Sequence, residues 1–177
     1  MNIKLRTLCG YGRPSTAWRL LLDISRQLEP VHNAGLAYGN ISPDSIDIGS
    51  DGKFVLDTSS ANEQKGSPET DIWYLGAAVF ELLMGIPVFG GKGNAVQTGS
   101  TPVPRFSTRY GEELSCLVKD CLNYDPKMRP DAGTISKVSL KCLSECAKTD
   151  SGRQSGNLSS ENVQPDLNYW PEQMNSL

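Results

Sequence analysis

The spacing of apolar and polar positions predicts four helices and one small hairpin. Ala17, Leu20, Leu21, Ile24, Leu28 and Val31 recur at helical intervals over residues 15–34. Ser15 or Thr16 is placed to cap this helix, Gly35 to stop it, and Pro30 to kink or break its last turn. Two short extended runs follow, Ser45–Ile48 and Lys53–Leu56, joined by the turn-forming Gly49-Ser50-Asp51-Gly52. Residues 58–70 are polar and aperiodic, which predicts a loop. Asp71–Met84 is apolar nearly all the way round, so it must be buried on most faces. Gly85, Pro87 and Gly90-Gly91 close it. Residues 90–108, rich in Gly, Pro, Ser and Thr, predict a loop with at most a short helix. Glu112–Leu122 reads as a third helix with Leu114, Leu117, Val118 and Cys121 inward. After a turn at Asp125-Pro126, a fourth runs from Asp131 or Thr134 to Cys146.

Composition alters this picture mainly at the ends. With 177 residues, 38% apolar and 21% charged, the chain is long enough for one globular domain. Residues 147–177 are dominated by Ser, Asn, Gln, Asp and Glu, with Leu158, Val163, Leu167 and Trp170 scattered among them. Such a stretch cannot bury enough apolar surface to offset its ordering entropy, so a disordered polar tail is expected. The expected organisation is a linker over 1–14, a folded unit over 15–146 and the tail over 147–177.

Net charge of −3 gives no basic footprint for nucleic acid, and no apolar run approaches the ~20 residues of a membrane span. Residues 1–22 carry Lys4, Arg6, Arg13 and Arg19 and no acid. That is compatible with an organellar transit peptide or with a basic strand and loop leading into the first helix. The second reading is preferred, which makes the expected location cytoplasmic, with organelle import as the alternative. The five cysteines, Cys9, Cys116, Cys121, Cys142 and Cys146, suggest neither a disulfide framework nor a zinc site. Cys142 and Cys146 lie four apart on a helix, and the only histidine, His32, is far away in sequence. Free thiols are expected, with no metal and no cofactor.

The order of elements and two motifs resemble the larger, C-terminal lobe of protein kinases. One is Asp71-Ile72-Trp73-Tyr74-Leu75-Gly76, continued by Phe80-Glu81-Leu82-Leu83-Met84-Gly85-Ile86-Pro87-Val88-Phe89. It is similar to the family's central buried helix, whose opening Asp bonds to the backbone of the catalytic loop. The other, Cys121-Leu122-Asn123-Tyr124-Asp125-Pro126-Lys127-Met128-Arg129-Pro130, resembles the turn whose Arg pairs with a Glu near the end of the activation segment. Glu69, in Ser67-Pro68-Glu69, is the candidate partner of Arg129. Asp71, Trp73, Glu69 and Arg129 are therefore expected to be structural. The implied fold is mainly α with a small β-hairpin, a kinase-like C-lobe with the N-lobe absent.

The resemblance weakens where chemistry belongs. A kinase catalytic loop reads H-R-D-L-x-x-x-N, its Asp accepting the substrate proton and its Asn binding Mg²⁺. The matching stretch is Tyr38-Gly39-Asn40-Ile41-Ser42-Pro43-Asp44-Ser45. Asn40 replaces the base, and an amide can orient a hydroxyl without accepting its proton. Ser42 replaces the usual lysine and Ser45 the metal-binding Asn. Asp57, in Asp57-Thr58-Ser59, stands where D-F-G belongs and is either a relic of the Mg²⁺ carboxylate or a turn residue. The Gly10-Tyr11-Gly12 segment is read as linker rather than as a phosphate loop. The expected function is a non-enzymatic pseudokinase, acting as a protein-interaction or regulatory module. Its partner would dock on the lobe face around Tyr38, Ile41, Ile48 and the hairpin, or on the tail segment Leu167-Asn168-Tyr169-Trp170-Pro171. The alternative is a degenerate serine/threonine kinase, retaining weak nucleotide binding or activity when completed by a partner chain. A truncated gene product with little function of its own is the third reading.

Overall fold

A computed structural model describes residues 3–39, 41–57, 66–91, 103 and 106–151. Its helices are α1 (Pro14–Asn33), α2 (Pro68–Met84), α3 (Glu112–Cys121) and α4 (Ala132–Ser151), with short strands β1 (Ile3–Lys4), β2 (Ile46–Ile48) and β3 (Phe54–Leu56). The fold is mainly helical with one small antiparallel sheet, as the periodicity predicts.

α1 begins at Pro14, whose fixed φ suits the first helical position, and no side chain caps it. Pro30 does not break it. The acceptor that Pro30 leaves without an N–H belongs to Arg26, and both residues are exposed, so the helix continues to Asn33. Gly35, at φ +73°, then turns the chain. α2 starts three residues before the predicted Asp71, with Pro68 in its first turn and Glu69 and Asp71 at its positive end.

α2 is the centre of the core. Ile72, Trp73, Leu75, Val79, Phe80, Leu82 and Leu83 are all buried, and α1 and α3 pack against it. α3 comes close at Gly76, where a Cβ would lie 2.7 Å from Cys121 Cβ. α4 packs along α1 through Ala132 and Ile135 at its start.

The predicted hairpin is present, in the register Ile46↔Leu56, Asp47↔Val55 and Ile48↔Phe54. A third strand joins it, β1 pairing Ile3 with Ile48 and Lys4 with Asp47. Residues 3–12 are thus not a linker. Leu5 is fully buried, and the N–H groups of Gly10 and Gly12 both donate to the Leu82 carbonyl, at 2.8 and 3.2 Å. A Cβ on Gly12 would sit 2.6 Å from Leu82 Cγ, so this glycine serves close packing against α2. A two-residue strand has no alternation to read, which is why the pattern missed it.

The lobe face expected to expose Tyr38 and Ile41 does not do so: both are buried. Ile3 and Val55, on the sheet, are the exposed apolar residues of that region. No helix among the described residues is long and apolar enough to cross a membrane. The tail residues Leu167, Tyr169 and Trp170 lie outside the described residues, as does most of the predicted 90–108 loop.

Candidate active site

The loop between α1 and β2 is held from below by one carboxylate. Asp71, in the first turns of α2, is fully buried. Its Oδ2 accepts from the Tyr38 N–H at 2.7 Å and from His32 Nε2 at 2.9 Å; its Oδ1 accepts from the Gly39 N–H at 2.9 Å. Facing a carboxylate, Nε2 of His32 carries the proton. Gly39 adopts φ +88°, a conformation that side-chain-bearing residues rarely take, and so permits two successive N–H groups to aim at one acid. Here the sequence expectation for Asp71 and the geometry agree. His32 is the residue that sequence reading left out of the loop.

Tyr38 also reaches forward. Its hydroxyl donates to the main-chain oxygen of Asp57, tying the loop to the end of β3. Burial raises the Tyr38 pKa above its ordinary value, with the Asp57 charge adding to the effect. Asp57 is fixed by a second backbone contact, its N–H donating to the Ser45 carbonyl at 2.8 Å. Asn40, at the position of the base, lies outside the described residues.

Asp57 and Ser45 are the residues at the family's metal-binding positions. Asp57 Oδ2 lies 2.7 Å from Lys4 Nζ, and the same ammonium is 2.9 Å from Asp47 Oδ1. The buried Ser45 hydroxyl accepts from the Ser42 N–H at 2.8 Å and donates to the Ser42 carbonyl at 3.1 Å. One carboxylate already facing a cation, and one hydroxyl closed on its own loop, do not fit a divalent metal ion. Ser42 and Ser45 thus meet each other.

A second cation from the same N-terminal stretch meets two further acids. Arg6 hydrogen-bonds Asp44, through Nε at 3.1 Å to Oδ1, and its Nη1 pairs with the largely buried Glu81 of α2. The guanidinium lowers the Asp44 pKa below the ordinary carboxylate range. Neither Lys4 nor Arg6 was singled out as a partner of this loop from the sequence, because no local spacing links residues 4 and 6 to 44, 57 and 81.

The expected Arg129–Glu69 carboxylate pair takes a different form. Nη1 of Arg129 donates to the main-chain oxygen of Glu69 at 2.7 Å, and Nε to that of Asn123 at 2.8 Å. The Glu69 charge is felt only through space: its pKa is lowered chiefly by the Ser67 hydroxyl, with Arg129 a smaller cause. The guanidinium also lies 4.9 Å from the ring centroid of Trp73, which stacks on Phe89. Arg129 thus clamps the start of α2 through backbone and ring rather than through an ion pair.

Around Cys142 the structure gathers acids, one of which, Glu113, no sequence spacing links to it. Cys142 has two carboxylates nearby, from Glu113 and Glu145, the three ligand atoms falling within 4.8 Å of one another. Three are fewer than the four that structural zinc takes, and burial raises the Cys142 pKa, with Glu113 adding to it. None of the five cysteines forms a disulfide.

No protein-family model matches the chain. It is similar to a probable serine/threonine-protein kinase, nek2, of Dictyostelium discoideum, 25% identical over 163 residues, covering 75% of this chain and 39% of that protein. It is also similar to a membrane-associated tyrosine- and threonine-specific cdc2-inhibitory kinase of Drosophila melanogaster, 28% identical over 142 residues (65% of this chain, 26% of that protein). A third relative is calcium-dependent protein kinase 17 of Arabidopsis thaliana, 36% identical over 83 residues (41% and 15%). The chain therefore spans well under half the length of these relatives, and its sequence and mainly helical fold are protein-kinase-like, with the character of the large lobe.

These names overturn the expectation of a non-enzyme. All three relatives are named as kinases, which points to a kinase-like enzyme. The expectation had leaned on the substituted positions Asn40, Ser42 and Ser45 and also on missing N-lobe parts, which a large lobe never carries. Their absence from this segment therefore says nothing about activity.

Proposed function

We propose that this lobe belongs to a degenerate serine/threonine protein kinase. It transfers phosphate weakly, and only when a Gly-rich lobe, on the same or a partner chain, covers the sheet near Lys4 and Val55. The observation that supports this most is the buried Asp71 carboxylate, accepting from Tyr38, Gly39 and His32. Phosphoryl transfer depends on positioning and electrostatics more than on covalent chemistry, so a held loop is the part that matters first. Threonine is common to the specificities stated in the names of the Dictyostelium and Drosophila relatives, which favours a hydroxyl-bearing protein substrate.

Loss of the base at Asn40 lowers the rate without removing the site, since general-base catalysis contributes about 10²–10⁴-fold. The test uses the full-length natural protein with ATP, Mg²⁺ and a generic protein substrate. Asn40→Asp should raise transfer by about two to four orders of magnitude. If neither the natural protein nor this variant transfers phosphate, the reading fails.

A protein-interaction role is the second reading, favoured by the exposed Val55 and Ile3 on the sheet. In that case Val55→Asp should abolish capture of the partner by the folded chain while leaving its urea midpoint unchanged. Unaltered capture would sink it.

A further inference from the structure

The cation in front of Asp57 is part of the chain. β1 pairing sets Lys4 directly across from Asp47, so the two side chains share one face of the sheet. Asp57 follows β3, the next strand over, and the ammonium bridges both acids at 2.9 and 2.7 Å. The main chain that carries Asp57 is held on both sides: its carbonyl accepts from the Tyr38 hydroxyl and its N–H donates to the Ser45 carbonyl. Lys4 is also tethered, since Leu5 is fully buried beside it and the Arg6 N–H donates to the Pro43 carbonyl at 3.0 Å. The two acids raise the Lys4 pKa, the Asp57 hydrogen bond first among the causes, so the amine stays charged through and above neutral pH.

We propose that Lys4 is the resident counter-ion of Asp57 and excludes a divalent cation from that carboxylate in the folded lobe. The inference rests on the resemblance only for the significance of the Asp57 position, and under it any phosphate transfer by this lobe would use Mg²⁺ held by the nucleotide phosphates rather than by Asp57. It replaces the choice between relic and ligand with a third state. Asp57 is a ligand, and its cation is an ammonium.

Removing the ammonium leaves two carboxylates facing one space. Oxygen pairs of this kind are what a hard divalent ion takes. The experiment titrates Mn²⁺ into the full chain at neutral pH, following free Mn²⁺ by electron paramagnetic resonance. Wild type should show no saturable binding that Asp57→Asn removes. Lys4→Met should gain a site at least about tenfold tighter than anything in wild type, and Asp57→Asn in the Lys4→Met background should erase it. Dependence on Asp57 separates this site from weak binding at Glu113 and Glu145. Equal, Asp57-dependent affinity in wild type and Lys4→Met would overturn the proposal, and so would a Lys4→Met protein that folds and gains nothing. Should Lys4→Met not fold, the wild-type arm decides by itself. Paramagnetic broadening of the Ile46 and Gly39 amides at stoichiometric Mn²⁺ overturns the proposal, and sharp signals there support it.

Discussion

Replacing Asp71 by asparagine isolates the charge that holds the loop between α1 and β2. The side chain is fully buried and accepts three hydrogen bonds, two from main-chain N–H groups and one from His32. In Asp71→Asn the amide oxygen still accepts from the Gly39 N–H. The NH₂ group then faces the Tyr38 N–H, donor against donor, and one buried N–H loses its acceptor at a cost of about 1–3 kcal/mol. The surviving bond also loses the assistance of a charge, which roughly halves its strength. His32 adds little, because the neutral ring can present its other tautomer and accept from the amide. The sum is about 2–4 kcal/mol. Asp71→Ala strands both N–H groups and falls near 3–5 kcal/mol. Against a total stability of about 5–15 kcal/mol, either loss is readily measured. Urea unfolding should show a lowered midpoint at unchanged slope, and hydrogen exchange should quicken at the Tyr38 and Gly39 amides before the rest of the core. An asparagine variant within about 0.5 kcal/mol of wild type, with both amides still protected, would refute the reasoning.

Two other expectations follow from the packing and capping of the helices. In Gly76→Ala, alanine is the better helix former by about 1 kcal/mol, yet its Cβ would lie 2.7 Å from Cys121 Cβ. Overpacking costs of about 1–3 kcal/mol win, so the urea midpoint should fall; a more stable variant would mean the helices are not this close. Asp131→Ala removes the carboxylate that accepts from the Thr134 N–H at 2.6 Å and should cost about 1 kcal/mol at neutral pH. That bond lowers the Asp131 pKa below its ordinary 3.8, so the stabilisation is fully present above that value and is lost as pH falls through the lower folded one. Urea midpoints of wild type and variant should therefore converge only in acid below pH 3.8. A gap unchanged there would place the effect elsewhere.

The long elements were legible because their physics is local. The all-round apolar character of residues 71–84 predicted burial of α2, and the inward set Leu114, Leu117, Val118 and Cys121 is buried as the spacing implied. The same locality sets the limit. Pro30 signalled a break that its exposed position makes tolerable. Tyr38 and Ile41 read as an uncovered face because an N-lobe would normally dock there, whereas both side chains belong to the core of the helical lobe itself. The site divides in the same way. Asp71 was found because a motif surrounds it, and Arg129 was found although its partner atom was a main-chain oxygen rather than a carboxylate. Lys4, Arg6 and His32 were missed as partners because each meets its acid across 38 to 75 positions of chain, with no periodicity connecting them.

The acids around the loop differ in what neutralises them. Asp71 is satisfied by N–H groups of the loop it supports, so its cost of burial is met by the same contacts that shape the loop. Asp44, Asp47, Asp57 and Glu81 instead face cations carried two positions apart, Lys4 and Arg6. The residue between the cations is Leu5, fully buried in the main core. Burying such a side chain is worth about 1.5–3 kcal/mol, more than an exposed ion pair contributes at about 0–1 kcal/mol. It is the hydrophobic contact that fixes where the charges sit, and not the reverse. Salt strong enough to screen Lys4 and Arg6 would therefore weaken their pairing while β1 stays docked, and a change of charge at Lys4 alters the cation in front of Asp57 without removing the strand that presents it.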